Sequence, residues 1–379
     1  MSAPAAPPVL LPPASGLCVG PWASCLTRRP ELVLVDDAVR EDVASALPAG
    51  ARVVAVHGTA DLPTVRSTAE AIEKQDPSGV LAVGGGATMD LAKLALLLAE
   101  HPGTAPRIER TSQRCGLVSL GRLPRRRHLT LVPTTTGTGS ESSAGACFDH
   151  PWGADGERAR SLVASPALAA DHAVIDPALL TTLPDRLVIE GLVEALSRVL
   201  APAVTTPSAL EPCEWEAEAL AAHLLALLDR LRSGRCPTEE LLRAAALASS
   251  LTHRGSSLAG RGSAPSPVWF VATELSMVLG TRKNVALAAL LEQWVALVRA
   301  GHEEWGDAER LNRLLPSASL DLGGLGLPTA LDAPPHALER TTDRLRARWG
   351  GRLPMMGRFA PEQLDRLLAP VLGEAGSRD

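Results

Sequence analysis

The stretch Val80–Lys93, VLAVGGGATMDLAK, constrains this chain more than any other. An apolar run of strand length meets three glycines and then a segment of helical composition, so strand, tight turn and helix follow without a break. Glycines at such a junction let backbone N–H groups approach an anion at the helix N-terminus, and they equally serve a close strand–helix turn. Glu31–Val35, Val53–Val56 and His128–Val132 are further short apolar runs, and Thr64–Lys74 has the period of an amphipathic helix. Strands and helices in alternation, the strands apolar throughout, predict an α/β region built on a parallel sheet wound on both faces.

After about Pro184 the strand signals stop. Leu187–Leu200, Glu214–Leu231, Thr238–Leu251, Val271–Val278, Val285–Ala300 and Pro361–Leu372 all read as helices. The expected division is a disordered lead-in over 1–15, an α/β dinucleotide-binding domain over 16–185 and an all-α catalytic and substrate domain over 186–379. A chain of 379 residues has room for two such domains. The proline-rich opening lacks a basic start and an unbroken apolar core, which argues against a signal peptide. A net charge of −5 gives no global basic field for nucleic acid. The longest apolar helix run, Leu91–Leu98, is too short for a bilayer. Six scattered cysteines without a CxxC fit reduced thiols in a cytoplasmic protein. Two stretches take no assignment: Gly255–Pro267, and Arg107–Arg127, whose terminal cluster Arg125–Arg126–Arg127 reads as a solvated face.

A second segment, Leu131–Ser143 (LVPTTTGTGSESS), ends another strand and delivers threonine hydroxyls and glycines to the same carboxyl edge of the sheet. Hydroxyls and open backbone suit a diphosphate or a nicotinamide carboxamide. Together, GGGATMDLAK and PTTTGTGSE resemble the two signature segments of the iron-containing alcohol dehydrogenases, a branch of the dehydroquinate-synthase-like superfamily. The similarity continues through Ala173–Pro184 (AVIDPALLTTLP) and spans roughly residues 15–375.

The resemblance implies an N-terminal nucleotide-binding domain, a helical C-terminal domain and a cleft between them. Asp37 stands where the family places an acidic residue on the adenosine ribose, which favours NAD, with NADP as the alternative. A strand-end Asp capping a turn is the competing reading of the same residue. Gly84, Gly85, Gly86 and Ala87 match the diphosphate loop, Ala87 replacing the usual Ser. Asp90 matches the cleft aspartate, and Thr134, Thr135 and Thr138 the hydroxyl-bearing loop. Arg160 falls where many members carry a Lys near the nicotinamide.

The metal half of the pattern is replaced. The family holds Fe²⁺ or Zn²⁺ with one Asp and three His; here these positions read Glu194, Arg198, Thr273 or its neighbour Glu274, and Lys283. Arg198 is a permanent cation and cannot ligate, so a bound transition metal is not expected. Glu194, Arg198, Lys283 and Arg160 are the candidate catalytic residues, with Arg198 and Lys283 as fixed cations standing in for a Lewis acid and Lys283 alternatively a base. The competing reading of Glu194 and Arg198 is a surface ion pair worth about 0.3–0.5 kcal/mol.

The resulting expectation is a nicotinamide-dependent dehydrogenase acting on an alcohol. Metal-poor relatives occur in the biosynthesis of modified peptides of the daptide type. There such an enzyme, with a peptide-binding partner, is implicated in oxidative decarboxylation of a C-terminal threonine. His253 is expected to approach the cleft, and a cation such as Arg198, Lys283 or Arg254 would suit a substrate carboxylate. Alternatives are an inactive scaffold retaining the fold and, third, a cyclase of the dehydroquinate-synthase type. A homodimer is implied by the family.

Overall fold

The computed structural model describes residues 9–10, 16–232, 234, 236–261, 266–316, 320–351 and 355–373. The lead-in expected over 1–15 lies outside these residues apart from a two-residue strand, β1 (Val9–Leu10). The other strands are β2 (Leu17–Val19), β3 (Leu32–Asp36), β4 (Arg52–Val56), β5 (Gly79–Gly84), β6 (Leu117–Ser119), β7 (His128–Pro133), β8 (Gly145–Trp152), β9 (Glu157–Ala164) and β10 (His172–Ile175). Helices α1 (Trp22–Cys25), α2 (Arg40–Val43), α3 (Leu62–Gln75), α4 (Gly86–Glu100), α5 (Ala105–Ser112) and α6 (Pro177–Leu180) accompany them. The remainder is helical: α7 (Asp185–Thr205), α8 (Glu211–Arg232), α9 (Glu239–Arg254), α10 (Pro267–Leu279), α11 (Lys283–Arg299), α12 (Ala308–Leu314), α13 (Ala337–Trp349) and α14 (Pro361–Leu368).

The main sheet runs β1-β2-β10-β7-β5-β3-β4. Six of its strands are parallel, and β1 alone pairs antiparallel. Along each central strand the side chains alternate between two cores. Leu32, Leu34, Val80, Ala82, Leu129 and Leu131 pack under α3 and α4 on one face. Val33, Val35, Leu81, Val83, Val132 and Val174 meet Trp22, Val39 and Leu179 on the other. Both faces are covered, which is why these strands read as unbroken apolar runs; each fully buried Val or Leu contributes about 1.5–3 kcal/mol. The helical half has its own core, with Trp294, Trp305 and Trp349 fully or almost fully buried.

Register positions the site. β5 pairs β7 from Gly79↔His128 to Gly84↔Pro133, so the glycine turn after β5 and the threonine turn after β7 leave the same sheet edge side by side.

A second, three-stranded sheet, β6-β9-β8, was not expected. The unassigned stretch Arg107–Arg127 contains most of α5 and all of β6. Its arginine cluster corrects the solvated-face expectation, which only Arg126 meets, its side chain being 66% exposed. Arg127 is buried, donating to Asp76 at 2.6 Å and pairing with Glu100 at 3.5 Å. Arg125 donates to the carbonyls of Ala167 and Ala169 and pairs with Asp171 at 2.5 Å. The cluster clasps neighbouring loops through its own counter-charges.

Candidate active site

Gly85 caps α4 with no side-chain hydrogen bond, so the first-turn N–H groups of a 15-residue helix are left open. Packing explains the glycines. A Cβ on Gly84 would lie 2.7 Å from the Asp36 side chain, and one on Gly86 would lie 2.8 Å from Thr138. Asp36 Oδ2 accepts from Gly85 N at 3.5 Å and Thr88 Oγ1 at 3.2 Å, so this carboxylate faces the glycine turn. Asp37 begins the next turn with its side chain 49% exposed, 3.5 Å from His57. Ala87 is the second residue of α4.

Opposite, Thr134 N donates to Gly84 O at 3.0 Å, tying the two turns together. The hydroxyls of Thr135 and Thr136 are buried without a partner. The open N–H groups at the start of α4, beside the Thr135 side chain that lies against Gly85, form a cradle for a diphosphate, whereas Thr136 Oγ1 lies against Gly191 of α7. A nicotinamide dinucleotide fits the residues present.

Asp90, on the next turn of α4, accepts from Ser140 Oγ at 2.6 Å and Cys147 N at 2.8 Å. Burial raises its pKa against the pull of Lys93. Lys93, quoted in the sequence motif without a role, is fully buried within reach of five oxygens of Ser140, Ser143 and Gly145. Burial pulls its pKa down. Lys93 thereby fixes the end of the threonine turn against β8.

From the helical half, α7 presents Glu194 and Arg198 one turn apart, and α11 opens with Lys283. Lys283 Nζ donates to Glu194 Oε1 and lies 5.7 Å from the Trp269 ring centre. Glu194 is buried, and its Oε2 has no partner. Burial works against its carboxylate, but Lys283 and Arg198 outweigh that penalty and hold its pKa below the ordinary value, with a smaller contribution from Asn284. The surface-pair reading of Glu194–Arg198 is corrected: the two lie 3.5 Å apart with side chains only 5% and 14% exposed.

Arg198 is committed to the protein. Its guanidinium donates to Gly137 O at 2.9 Å, Thr138 O at 3.0 Å and Thr252 Oγ1 at 2.8 Å. Arg160 is likewise engaged, forking onto Asp149 at 2.7 and 3.1 Å; sequence reading missed Asp149. His253 does reach the threonine turn, donating from Nε2 to Thr138 O at 3.2 Å. Burial and then the charge of Arg198 hold its pKa well below 6.5, so the ring is neutral. Arg254 donates to Ser142 Oγ at 2.8 Å.

Residues 25–177 match the family model described as iron-containing alcohol dehydrogenase. Phosphonoacetaldehyde reductase of Streptomyces viridochromogenes is 27% identical over 83% of this chain and 74% of its own length. Long-chain-alcohol dehydrogenase 1 of Geobacillus thermodenitrificans is 32% identical, but the match covers only 32% of this chain and 28% of that protein. NADH-dependent butanol dehydrogenase A from Thermotoga maritima superimposes with a TM-score of 0.70 at 18% identity, covering 90% of each chain. The chain is similar to the iron-containing alcohol dehydrogenases.

An iron-containing alcohol dehydrogenase takes its name from a metal that the residues here do not fit. Neither Arg198 nor the Lys283 ammonium, which donates to Glu194, has a lone pair to give. Thr273 turns its hydroxyl to Trp269 O at 2.8 Å. Glu274 is fully buried elsewhere, accepting from Arg344 at 2.9 Å, Arg348 at 2.8 Å and Trp349 at 2.7 Å. Among the described residues, no group of three or more His, Cys, Asp or Glu side chains is placed to hold a metal ion. No described helix is long and apolar enough to cross a membrane.

Proposed function

We propose that this chain is an oxidoreductase of the iron-containing alcohol dehydrogenase family that oxidises an alcohol with a nicotinamide dinucleotide and uses Lys283 and Glu194 in place of a transition metal. The observation that carries the reading is the buried, unpartnered Glu194 Oε2 beside the Lys283 ammonium. Glu194 offers an acceptor and Lys283 has N–H groups beyond the one it gives to Oε1, so a hydroxyl seated there would donate to Oε2 and accept from Nζ. Bound NAD supplies the hydride acceptor. As the carbinol C–H bond yields its hydride, the O–H proton passes to Glu194 and Lys283 steadies the negative oxygen until the carbonyl forms. Asp37, exposed just past the end of β3, favours NAD over NADP because its carboxylate would repel a 2′-phosphate.

The substrate we propose is a β-hydroxy acid, and specifically the C-terminal threonine of a daptide-type peptide, presented with a peptide-binding partner in the cytoplasm. Oxidation of the β-hydroxyl gives a β-keto acid, which loses CO₂ as its C–C bonding pair moves into the neighbouring carbonyl. One relative that covers 83% of this chain is named for phosphonoacetaldehyde, itself an anion, in keeping with a charged substrate. Incubating the protein with NAD and peptides ending in Thr, Ser or Ala, with and without candidate partner proteins, tests this. NADH formation together with loss of two hydrogens and CO₂ from the Thr peptide alone supports it. NADH formation from simple alcohols with every peptide unchanged would retain the dehydrogenase and remove the peptide substrate.

A further inference from the structure

The carbonyls of Gly137 and Thr138 point into the helical half of the molecule. Arg198 donates to both, Ser249 Oγ donates to Gly137 O at 2.9 Å, and His253 donates to Thr138 O. The turn also sits hard against α7, because a Cβ on Gly137 would come within 2.2 Å of Gly191 Cα. In a trans peptide the C=O and the following N–H point in opposite directions. Pinning these two carbonyls to the guanidinium therefore aims the N–H groups of Thr138 and Gly139 away from it. The Thr138 side chain, meanwhile, lies against Gly86 at the start of α4.

We propose that Arg198 is a positioning residue for the dinucleotide turn. It takes no part in proton or hydride transfer. Two carbonyl dipoles free to rotate toward the cradle would repel a diphosphate; Arg198 holds them turned inward and leaves the Thr138 and Gly139 N–H groups on the opposite side. Burial lets one guanidinium serve Gly137, Thr138, Thr252 and Glu194 at once, a set that a lysine cannot span. The proposal rests on the reading that a nicotinamide dinucleotide occupies this cradle.

The test is a fluorescence titration of the full-length protein and its variants with NADH and NADPH, alongside steady-state kinetics. Arg198→Met is expected to raise the NADH Kd by about 10- to 100-fold, the loss typical of hydrogen bonds from a charged donor. Arg198→Lys keeps the charge without the fork and should recover part of that loss. Thr252→Val, which frees one guanidinium arm, should cost a few-fold. Lys283→Met removes the neighbouring cation without touching either carbonyl and should leave the NADH Kd unchanged. In kinetics, Arg198→Lys should raise KM for the dinucleotide more than it lowers kcat, a split that general loosening of the fold does not produce. Should Arg198→Met fail to fold, Arg198→Lys and Thr252→Val carry the same expectation. Parent-like NADH affinity in the folded Arg198 variants overturns the positioning role while leaving dinucleotide binding intact. A parent protein that binds neither nucleotide overturns the cofactor reading, and the positioning role with it.

Discussion

Lys283, the first residue of α11, reaches across to α7 and donates to one oxygen of Glu194, while the other oxygen of that buried carboxylate has no partner. Apposed in this way, a fixed donor and an open acceptor would serve as the proton-handling pair proposed above. Replacing Glu194 by Gln or Lys283 by Met should lower kcat by about two orders of magnitude or more, the range of a lost general acid or base. NADH affinity should stay at the parent value in both. Equal kcat in parent and variants would remove the pair from the mechanism.

Because Glu194 titrates below the ordinary carboxylate value, it is ionised across neutral and mildly acidic pH. The rate of alcohol oxidation should therefore not fall on its account until the pH drops below about 4.5. A pH–rate profile of the parent and of Glu194→Gln checks this: the acidic limb belongs to the parent and should be absent from the residual activity of the variant.

Asp149 anchors Arg158 and Arg160 while itself buried. Burial pushes its pKa up, but the two guanidiniums outweigh it and bring the value below 3.8. A depressed folded pKa contributes stability that is present above the unfolded pKa and lost as pH falls through the folded one. Asp149→Asn should cost about 3–5 kcal/mol at pH 7, as expected when one partner of a buried pair is removed. Denaturant unfolding at a series of pH values should show the gap to the parent narrowing below about pH 4.

Glu274 holds Arg344, Arg348 and Trp349 from three directions in a fully buried cluster. Glu274→Gln leaves Arg348 without its carboxylate and Arg344 with Glu157 alone, and should destabilise the fold by about 3–5 kcal/mol. Where folded protein is recovered, its NADH affinity should match the parent. A selective loss of cofactor binding with unchanged stability would contradict this structural role.

Gly137→Ala tests the seating of the threonine turn on α7. The added Cβ meets the Gly191 backbone, which cannot swing aside as a side chain would. The turn must shift, so NADH binding should weaken by at least an order of magnitude, or the chain should lose cooperative thermal unfolding.

The parallel sheet was legible because its strands are buried on both faces, so Leu32–Val35, Val80–Val83 and Leu129–Val132 read as apolar runs in any window. Six of the eight described helices of the second half were legible from their period, with ends displaced by a few residues; α12 and α13 were not read. β8 and β9 were not, because they bury Asp149, His150 and Ser161 and carry Arg158 and Arg160, whose charges are matched only across strands or in three dimensions. The same cause hid Arg125 and Arg127, whose counter-charges Asp171, Asp76 and Glu100 lie tens of residues away. At the site, the glycine and threonine turns were legible from spacing. The choice between Asp36 and Asp37 was not, since one residue of register decides which carboxylate faces Gly85 and which faces solvent. Nor was the commitment of Arg198 to two backbone carbonyls, which carry no sequence signature.

A dinucleotide cradle working beside a Lys283–Glu194 pair instead of a metal is what we propose for this site. Elemental analysis of the purified protein for Fe, Zn and Mn, with NADH titrated into the same sample, tests it most directly. The expected result is no stoichiometric metal and saturable NADH binding that a chelator does not change. Stoichiometric iron or zinc, lost together with activity on chelation, would contradict it.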